Sequence, residues 1–165
     1  MIFSRHKYPL RAKLYENEAF YSFATQSGRD ASVIDPAFVP ITLLKTCHEA
    51  QLGEALLTCL QNSRAPSHRK APELYNYRDI AASHEVWCKK IIQEFGYKTK
   101  RNMFSKMRCY DFKLEQNHNP LKSISVEKWG RRDKSYGWSD QHPVASDIAL
   151  GHDPETIGKF ISQLD

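Results

Sequence analysis

Cys109-Tyr110-Asp111-Phe112-Lys113-Leu114-Glu115 and, shortly after it, Ile124-Ser125-Val126-Glu127-Lys128-Trp129 decide the fold. In the first stretch Tyr110, Phe112 and Leu114 alternate with Cys109, Asp111, Lys113 and Glu115, the period-2 pattern of a strand with one face buried. The second repeats the pattern, with Ile124, Val126 and Lys128 on one side and Ser125, Glu127 and Trp129 on the other. Asn117-His118-Asn119-Pro120 between them is turn chemistry, so the two segments pair as an antiparallel hairpin.

Upstream, residues 15–25 carry Tyr15, Phe20, Tyr21 and Phe23 and read as a further strand, ended by Ser27-Gly28-Arg29-Asp30. A short extended piece follows at 32–34, and Pro36 and Pro40 exclude a helix around Ala37-Phe38-Val39. Three amphipathic helices are expected. The first spans 48–60, with Leu52, Ala55, Leu56, Cys59 and Leu60 at helical spacing and a cap at Thr46 or the residue after it. The second spans 83–95, built on Val86, Trp87, Ile91 and Phe95 and stopped by Gly96. The last opens at Asp153-Pro154 and carries Ile157, Phe160, Ile161 and Leu164, while 100–107 forms a shorter helix and 62–72 a loop. Together these predict an α+β fold: a single domain over 1–165, with a mostly antiparallel sheet and about three helices packed on it.

The first and last helices echo one another. His48-Glu49-Ala50-Gln51-Leu52-Gly53 and His152-Asp153-Pro154-Glu155-Thr156-Ile157-Gly158 both place an acid in the first turn and glycine after the first core aliphatic. Glycine inside a helix costs about 1 kcal/mol relative to alanine, so Gly53 and Gly158 point to close packing of each helix against a neighbouring element.

With 165 residues, 41% hydrophobic and 26% charged, the chain is long enough for a core that needs no metal or disulfide. No apolar run approaches the ~20 residues that cross a bilayer, and no signal-peptide core follows Met1, so a cytoplasmic location is expected. Cys47, Cys59, Cys88 and Cys109 show no Cys-x-x-Cys spacing and read as reduced, buried thiols. The net charge of +5 is unevenly spread. Residues 1–60 hold 6 basic and 6 acidic side chains, 61–138 hold 17 and 8, and 139–165 hold 1 and 5, giving segments of 0, +9 and −4.

Catalytic chemistry is not written in this pattern. Gly-x-Ser-x-Gly, Walker, Gly-x-Gly-x-x-Gly and His-Glu-x-x-His motifs are all missing, so no catalytic residue, cofactor or metal is assigned. Asp111 and Glu115 share a strand face with Lys113, which suits a solvated face better than a carboxylate dyad, and His84 reads as a surface or capping residue. Two basic clusters remain. Gly96 to Arg108 holds Lys98, Lys100, Arg101, Lys106 and Arg108 with no acid, interleaved with Tyr97, Met103, Phe104 and Met107. That strip is either a helix with its apolar side on the core and lysines outward, a docking surface for an acidic protein, or a phosphate-tracking surface. Trp129 to Trp138 brings Arg131, Arg132, Lys134 and Tyr136 into a long hairpin tip or loop, and tryptophan and arginine are favoured anchors at interfaces.

The order of Leu52-Gly53-Glu54-Ala55-Leu56-Leu57, Ser63-Arg64, Phe95-Gly96-Tyr97-Lys98-Thr99-Lys100 with Phe104, Met107 and Cys109, Trp138-Ser139 and Pro154-Glu155-Thr156-Ile157-Gly158 resembles a family of bacterial immunity proteins. These belong to contact-dependent growth inhibition systems, and the likeness runs from about Val33 onward. The resemblance implies a small cytoplasmic, non-catalytic protein that binds the C-terminal toxin domain of a large exported effector, often a nuclease, and neutralises it. It implies a monomer in a 1:1 complex, without a membrane or nucleic-acid partner. Tight blocking needs an interface of about 1,600 Å² with a few anchors. Trp129, Arg131, Arg132, Lys134, Tyr136 and Trp138, with Lys98, Lys100 and Arg101, are the candidate partner-binding residues. Either the basic segment meets an acidic toxin surface or the acidic tail enters a basic groove, with the larger positive cluster favouring the first. The second reading is a basic nucleic-acid-binding module without catalytic activity.

Overall fold

The computed structural model describes residues 8–115, 123–131, 138–144, 147–149, 151 and 153–164. In chain order it holds β1 (Leu10–Glu16), β2 (Phe20–Ser27), β3 (Val33–Ile34), β4 (Ile41–Leu44), α1 (Glu49–Asn62), a short 3-10 helix (Pro72–Tyr75), α2 (Tyr77–Phe95), α3 (Lys100–Ser105), β5 (Arg108–Leu114), β6 (Ser123–Arg131), β7 (Trp138–Pro143), β8 (Ile148–Ala149) and α4 (Pro154–Ser162). The strands form one sheet of order β3-β2-β1-β5-β6-β7, with β4 also on β2 and β8 also on β6, and every described ladder is antiparallel. This is the expected α+β architecture. The alternating segments pair as read, Phe112 opposite Val126 and Leu114 opposite Ile124. The turn expected at 117–120 lies outside the described residues.

Three local expectations need correction. Residues 15–25 are not one strand, because Asn17 makes a turn inside them. Its Oδ1 accepts the amide hydrogens of Ala19 at 2.9 Å and Phe20 at 3.2 Å, and its own amide donates to the Phe20 carbonyl. The aromatic run therefore folds into the β1–β2 hairpin. Helix α2 starts at Tyr77 rather than 83, since Asn76 accepts the Arg78 amide at 3.0 Å as its cap. Its first turn is exposed, with Tyr77 at 82%, so an apolar-stripe reading misses it. Helix α1 is capped by His48, whose amide donates to Gln51 Oε1 at 3.0 Å, and not by Thr46 or Cys47.

The sheet is covered on both faces. Helices α1 and α4 pack on one side over Leu10, Ala12, Leu14, Phe23, Tyr110, Phe112, Leu114, Ile124 and Val126. Helices α2 and α3 pack on the other, over Tyr15, Phe20 and Cys109. Cys109 is thus buried although its strand was read as solvated on that side. The echo between the first and last helices becomes a mutual contact. A Cβ on Gly53 would lie 1.9 Å from the Pro154 carbonyl oxygen, and one on Gly158 would lie 1.6 Å from that of Glu49. Residue 49 therefore faces 158 while 53 faces 154, so the helices run antiparallel with backbone touching backbone.

Ser63-Arg64 ties the end of α1 to the sheet. Ser63 Oγ donates to the Gln26 carbonyl at 2.6 Å and accepts the Arg11 amide at 3.0 Å. Arg64 grips the buried Asp35 carboxylate through Nε at 2.7 Å and Nη2 at 3.0 Å, and Nη2 also reaches Glu73 at 2.7 Å. Burial alone would push the Asp35 carboxyl up. Hydrogen bonds from Arg64, the Ala37 amide and Ser27 outweigh that and hold it below its ordinary value.

Either Gly53→Ala or Gly158→Ala should lower stability by about 1–3 kcal/mol, since only backbone stands in the way. The double variant should cost less than the sum, because one Cβ already parts the helices, and thermal unfolding reads both effects. Asp35→Asn should cost about 2–3 kcal/mol at neutral pH. Because the folded carboxyl titrates lower than the unfolded one, this contribution is present above the reference value of 3.8 and fades as pH falls below it. Denaturant titrations at several pH values should therefore show the variant's deficit shrinking in acid.

Candidate functional site

Register across the sheet shows where its inner face changes character. On the α1/α4 side the first rows are apolar: Leu10–Leu114–Ile124–Ile148, then Ala12–Phe112–Val126. The next runs Ile41–Phe23–Leu14–Tyr110 and then turns polar at Lys128 and His142. The last, Leu43–Tyr21–Glu16–Arg108, turns charged at Glu16. One corner of an otherwise apolar face is therefore lined with Glu16, Arg108, Lys128 and His142.

A depression of about 320 Å³ opens at that corner, lined by Lys106, Met107, Arg108, Lys128, Trp129, Gly130, Trp138 and His142. Pairing of β5 with β6 ends there at Tyr110–Lys128, whereas β6 continues against β7 as far as Arg131. The parting of β5 and β6 lets residues from both faces line one opening. Trp138 is half-buried, its ring 5.5 Å from both Tyr15 and Phe104. Trp129 is half-buried too, with Lys13 Nζ 4.8 Å from its ring centre, and Lys13 pairs with Asp111 at 3.3 Å. Gln141 Nε2 donates to the same carboxylate at 2.6 Å. The solvated-face reading fits Lys113 and Glu115, an exposed pair at 2.5 Å, but not Asp111, which is largely buried between Lys13 and Gln141.

The predicted site residues divide. Trp129 and Trp138 come together at the depression, but as half-buried walls fixed by packing rather than exposed tips. Arg131 ends β6 opposite Trp138 in the backbone register, and Arg132, Lys134 and Tyr136 lie outside the described residues. Lys98 and Arg101 are exposed, while Lys100 pairs with Glu85 and braces α3 against α2. Sequence reasoning missed Lys128 and His142. Lys128 occupies an apolar-face position of its strand, and that misfit was the available signal; His142 offered none.

Charge is segregated by layer. Residues 77–106 carry Arg78, Lys89, Lys90, Lys98, Lys100, Arg101 and Lys106 against Asp79, Glu85 and Glu94. The α1/α4 layer carries Glu49, Glu54, Asp153 and Glu155 against Lys159. The two helix layers lie on opposite sides of the sheet, so a partner that covers one leaves the other open.

One pair has the look of a nucleophile and its base. Cys88 Sγ lies 3.6 Å from His84 Nε2, and the His84 ring stacks near Phe104 and Trp87. His84 is thus half-buried, not the surface residue expected. Burial pushes the Cys88 thiol up to about 11, and burial with the nearby Lys100 charge pulls His84 down. Both shifts favour the neutral thiol and the neutral imidazole, the opposite of an activated thiolate. Among the described residues, no three His, Cys, Asp or Glu side chains gather as metal ligands, and no helix is long and apolar enough to cross a membrane.

Comparison with known proteins gives a consistent picture. The family model CdiI, described as CDI immunity protein, matches residues 10–164. Immunity protein CdiI-YPIII of Yersinia pseudotuberculosis serotype O:3 (strain YPIII) is 29% identical over 136 residues, covering 72% of this chain and 76% of that protein. A protein of unknown function from Neisseria meningitidis shares the fold with a TM-score of 0.78 at 23% identity, over 99% of this chain and 98% of that one. A CdiA-CT/CdiI toxin and immunity complex from Yersinia pseudotuberculosis matches with a TM-score of 0.72 at 23% identity, over 92% of each chain.

Thiol labelling checks the inert pair. Burial also pushes Cys59 up to about 11 and Cys109 to about 12, whereas Cys47 is only half-buried. Iodoacetamide at neutral pH should modify Cys47 first in the native protein, and Cys59, Cys88 and Cys109 only on unfolding, as read by mass spectrometry.

Proposed function

The chain belongs to the CDI immunity protein family, and on that premise we propose that it is a non-catalytic inhibitor acting in the cytoplasm. Its 165 residues act as one immunity-type domain that binds the C-terminal toxin domain of a cognate exported effector 1:1, the toxin being a nuclease. The toxin docks on the basic side. The observation that carries this reading is the tryptophan-walled depression with Lys106, Arg108 and Lys128 around it. Fixed aromatic walls and clustered cations suit an acidic segment of the toxin, whose carboxylates complement the charge and whose apolar atoms cover Trp129 and Trp138. Arg131, Arg132, Lys134 and Tyr136, with Lys98, Lys100 and Arg101, are further contact residues in this reading.

Calorimetry with the purified toxin domain should give a 1:1 complex. Lys106→Glu and Lys128→Glu should each weaken it by about tenfold at low salt and less at high salt. Growth protection in cells that express the toxin should weaken in parallel. A generic nucleic-acid partner predicts instead a salt-dependent shift of oligonucleotide probes by the protein alone. The toxin reading expects no such shift.

A further inference from the structure

We infer that Glu16 is a positioning residue, a buried carboxylate that holds Arg108 in place at the depression for a carboxylate of the toxin. This inference rests on the docking surface proposed above. Glu16 closes β1, is 1% exposed, and faces Arg108 across the β1–β5 ladder. Its Oε1 lies 3.1 Å from Arg108 Nε and its Oε2 lies 2.5 Å from Lys45 Nζ. The two cations face different ways. Lys45 Nζ stands 3.6 Å over the Tyr21 ring, away from the opening, whereas Arg108 lines the opening with its side chain 40% exposed.

Stability does not account for a charge in this position. Taking a carboxylate out of water costs several kcal/mol, and a buried ion pair rarely outperforms an apolar replacement. What the buried anion does supply is geometry. Lys106, Arg108 and Lys128 are like charges around one opening, and mutual repulsion would swing the long Arg108 side chain out into solvent. Glu16 holds it by charge, as an ion pair at 3.1 Å in which Oε1 accepts no hydrogen bond from any described residue, and so keeps the guanidinium at the opening where it meets a carboxylate.

The neighbouring carboxylate makes a control. Glu18, in the same turn, lies 3.6 Å from Lys106 Nζ, and both side chains are about 80% exposed. Such a pair is weak and screened. Asn17 between them is 4% exposed and donates through Nδ2 to the Tyr97 hydroxyl at 2.7 Å, which pins the turn. Glu16 and Glu18 therefore bear the same charge beside the same site, one buried and coupled to Arg108, the other exposed. Simple electrostatics predicts that neutralising either one improves binding of an acidic partner. Positioning predicts opposite signs.

The test measures dissociation of the 165-residue chain from the purified C-terminal toxin domain of the cognate effector. Glu16→Gln should dissociate about tenfold faster than wild type, and Glu18→Gln no faster. In an Arg108→Gln background, Glu16→Gln should have no further effect on binding, which a general structural defect would not produce. If Glu16→Gln melts near the assay temperature, Arg108→Lys reads the same ion pair, because a single ammonium held by Glu16 leaves no second donor edge for the toxin carboxylate, and it should lose about tenfold. Wild-type binding by Glu16→Gln or Arg108→Lys, equal losses at Glu16 and Glu18, or an undiminished Glu16→Gln effect without Arg108 would each overturn the inference. Failure of the wild-type chain to bind the toxin domain would instead overturn the docking reading itself.

Discussion

The contact on which the rest depends is the crossing of α1 and α4, where Gly53 meets the Pro154 backbone and Gly158 meets that of Glu49. With no side chain between them, two short helices of 14 and 9 residues lie as one tight pair on the sheet. They bury the apolar rows from Leu10 to Phe23. Where those rows end, register brings up Glu16, Arg108, Lys128 and His142, which is where the depression lies. A wider helix pair would reach further across the face. The tight crossing and the charged corner are thus two consequences of one packing arrangement.

The second consequence is electrostatic. The sheet separates an acidic helix pair from a basic one, with Glu49, Glu54, Asp153 and Glu155 on one side and the basic excess of residues 77–106 on the other. An inhibitor that must seize a partner quickly benefits from such polarity, because long-range attraction orients the encounter before any contact forms. Short-range fit then falls to rigid groups. Trp129 under Lys13, Trp138 between Tyr15 and Phe104, and Arg108 against Glu16 are each held by neighbours before a partner arrives. Groups already ordered lose little entropy on binding.

Much of the fold was legible in the sequence because period and punctuation agreed. Tyr110, Phe112, Leu114, Ile124 and Val126 fixed the central hairpin, and the glycine echo pointed to a close approach that proved to be helix on helix. The site was less legible. Trp129 and Trp138 were visible as interface types, but their half-buried state depends on α3 and β1, distant in sequence. Lys128 and His142 gain meaning only from register across three strands, and Glu16 only from facing Arg108. The Asn17 turn hid inside an aromatic run, because local hydrophobic density does not reveal a side chain that satisfies two backbone amides.

The central claim is that the toxin covers the basic, tryptophan-walled depression and leaves the acidic helix pair open. Lysine acetylation footprinting of the free chain and of its 1:1 complex with the toxin domain tests this most directly. Lys106 and Lys128 border the depression, and Lys159 lies in α4, outside its lining. The account predicts that Lys106 and Lys128 become protected in the complex while Lys159 reacts as in the free protein. Protection of Lys159 with Lys106 and Lys128 unchanged would contradict it.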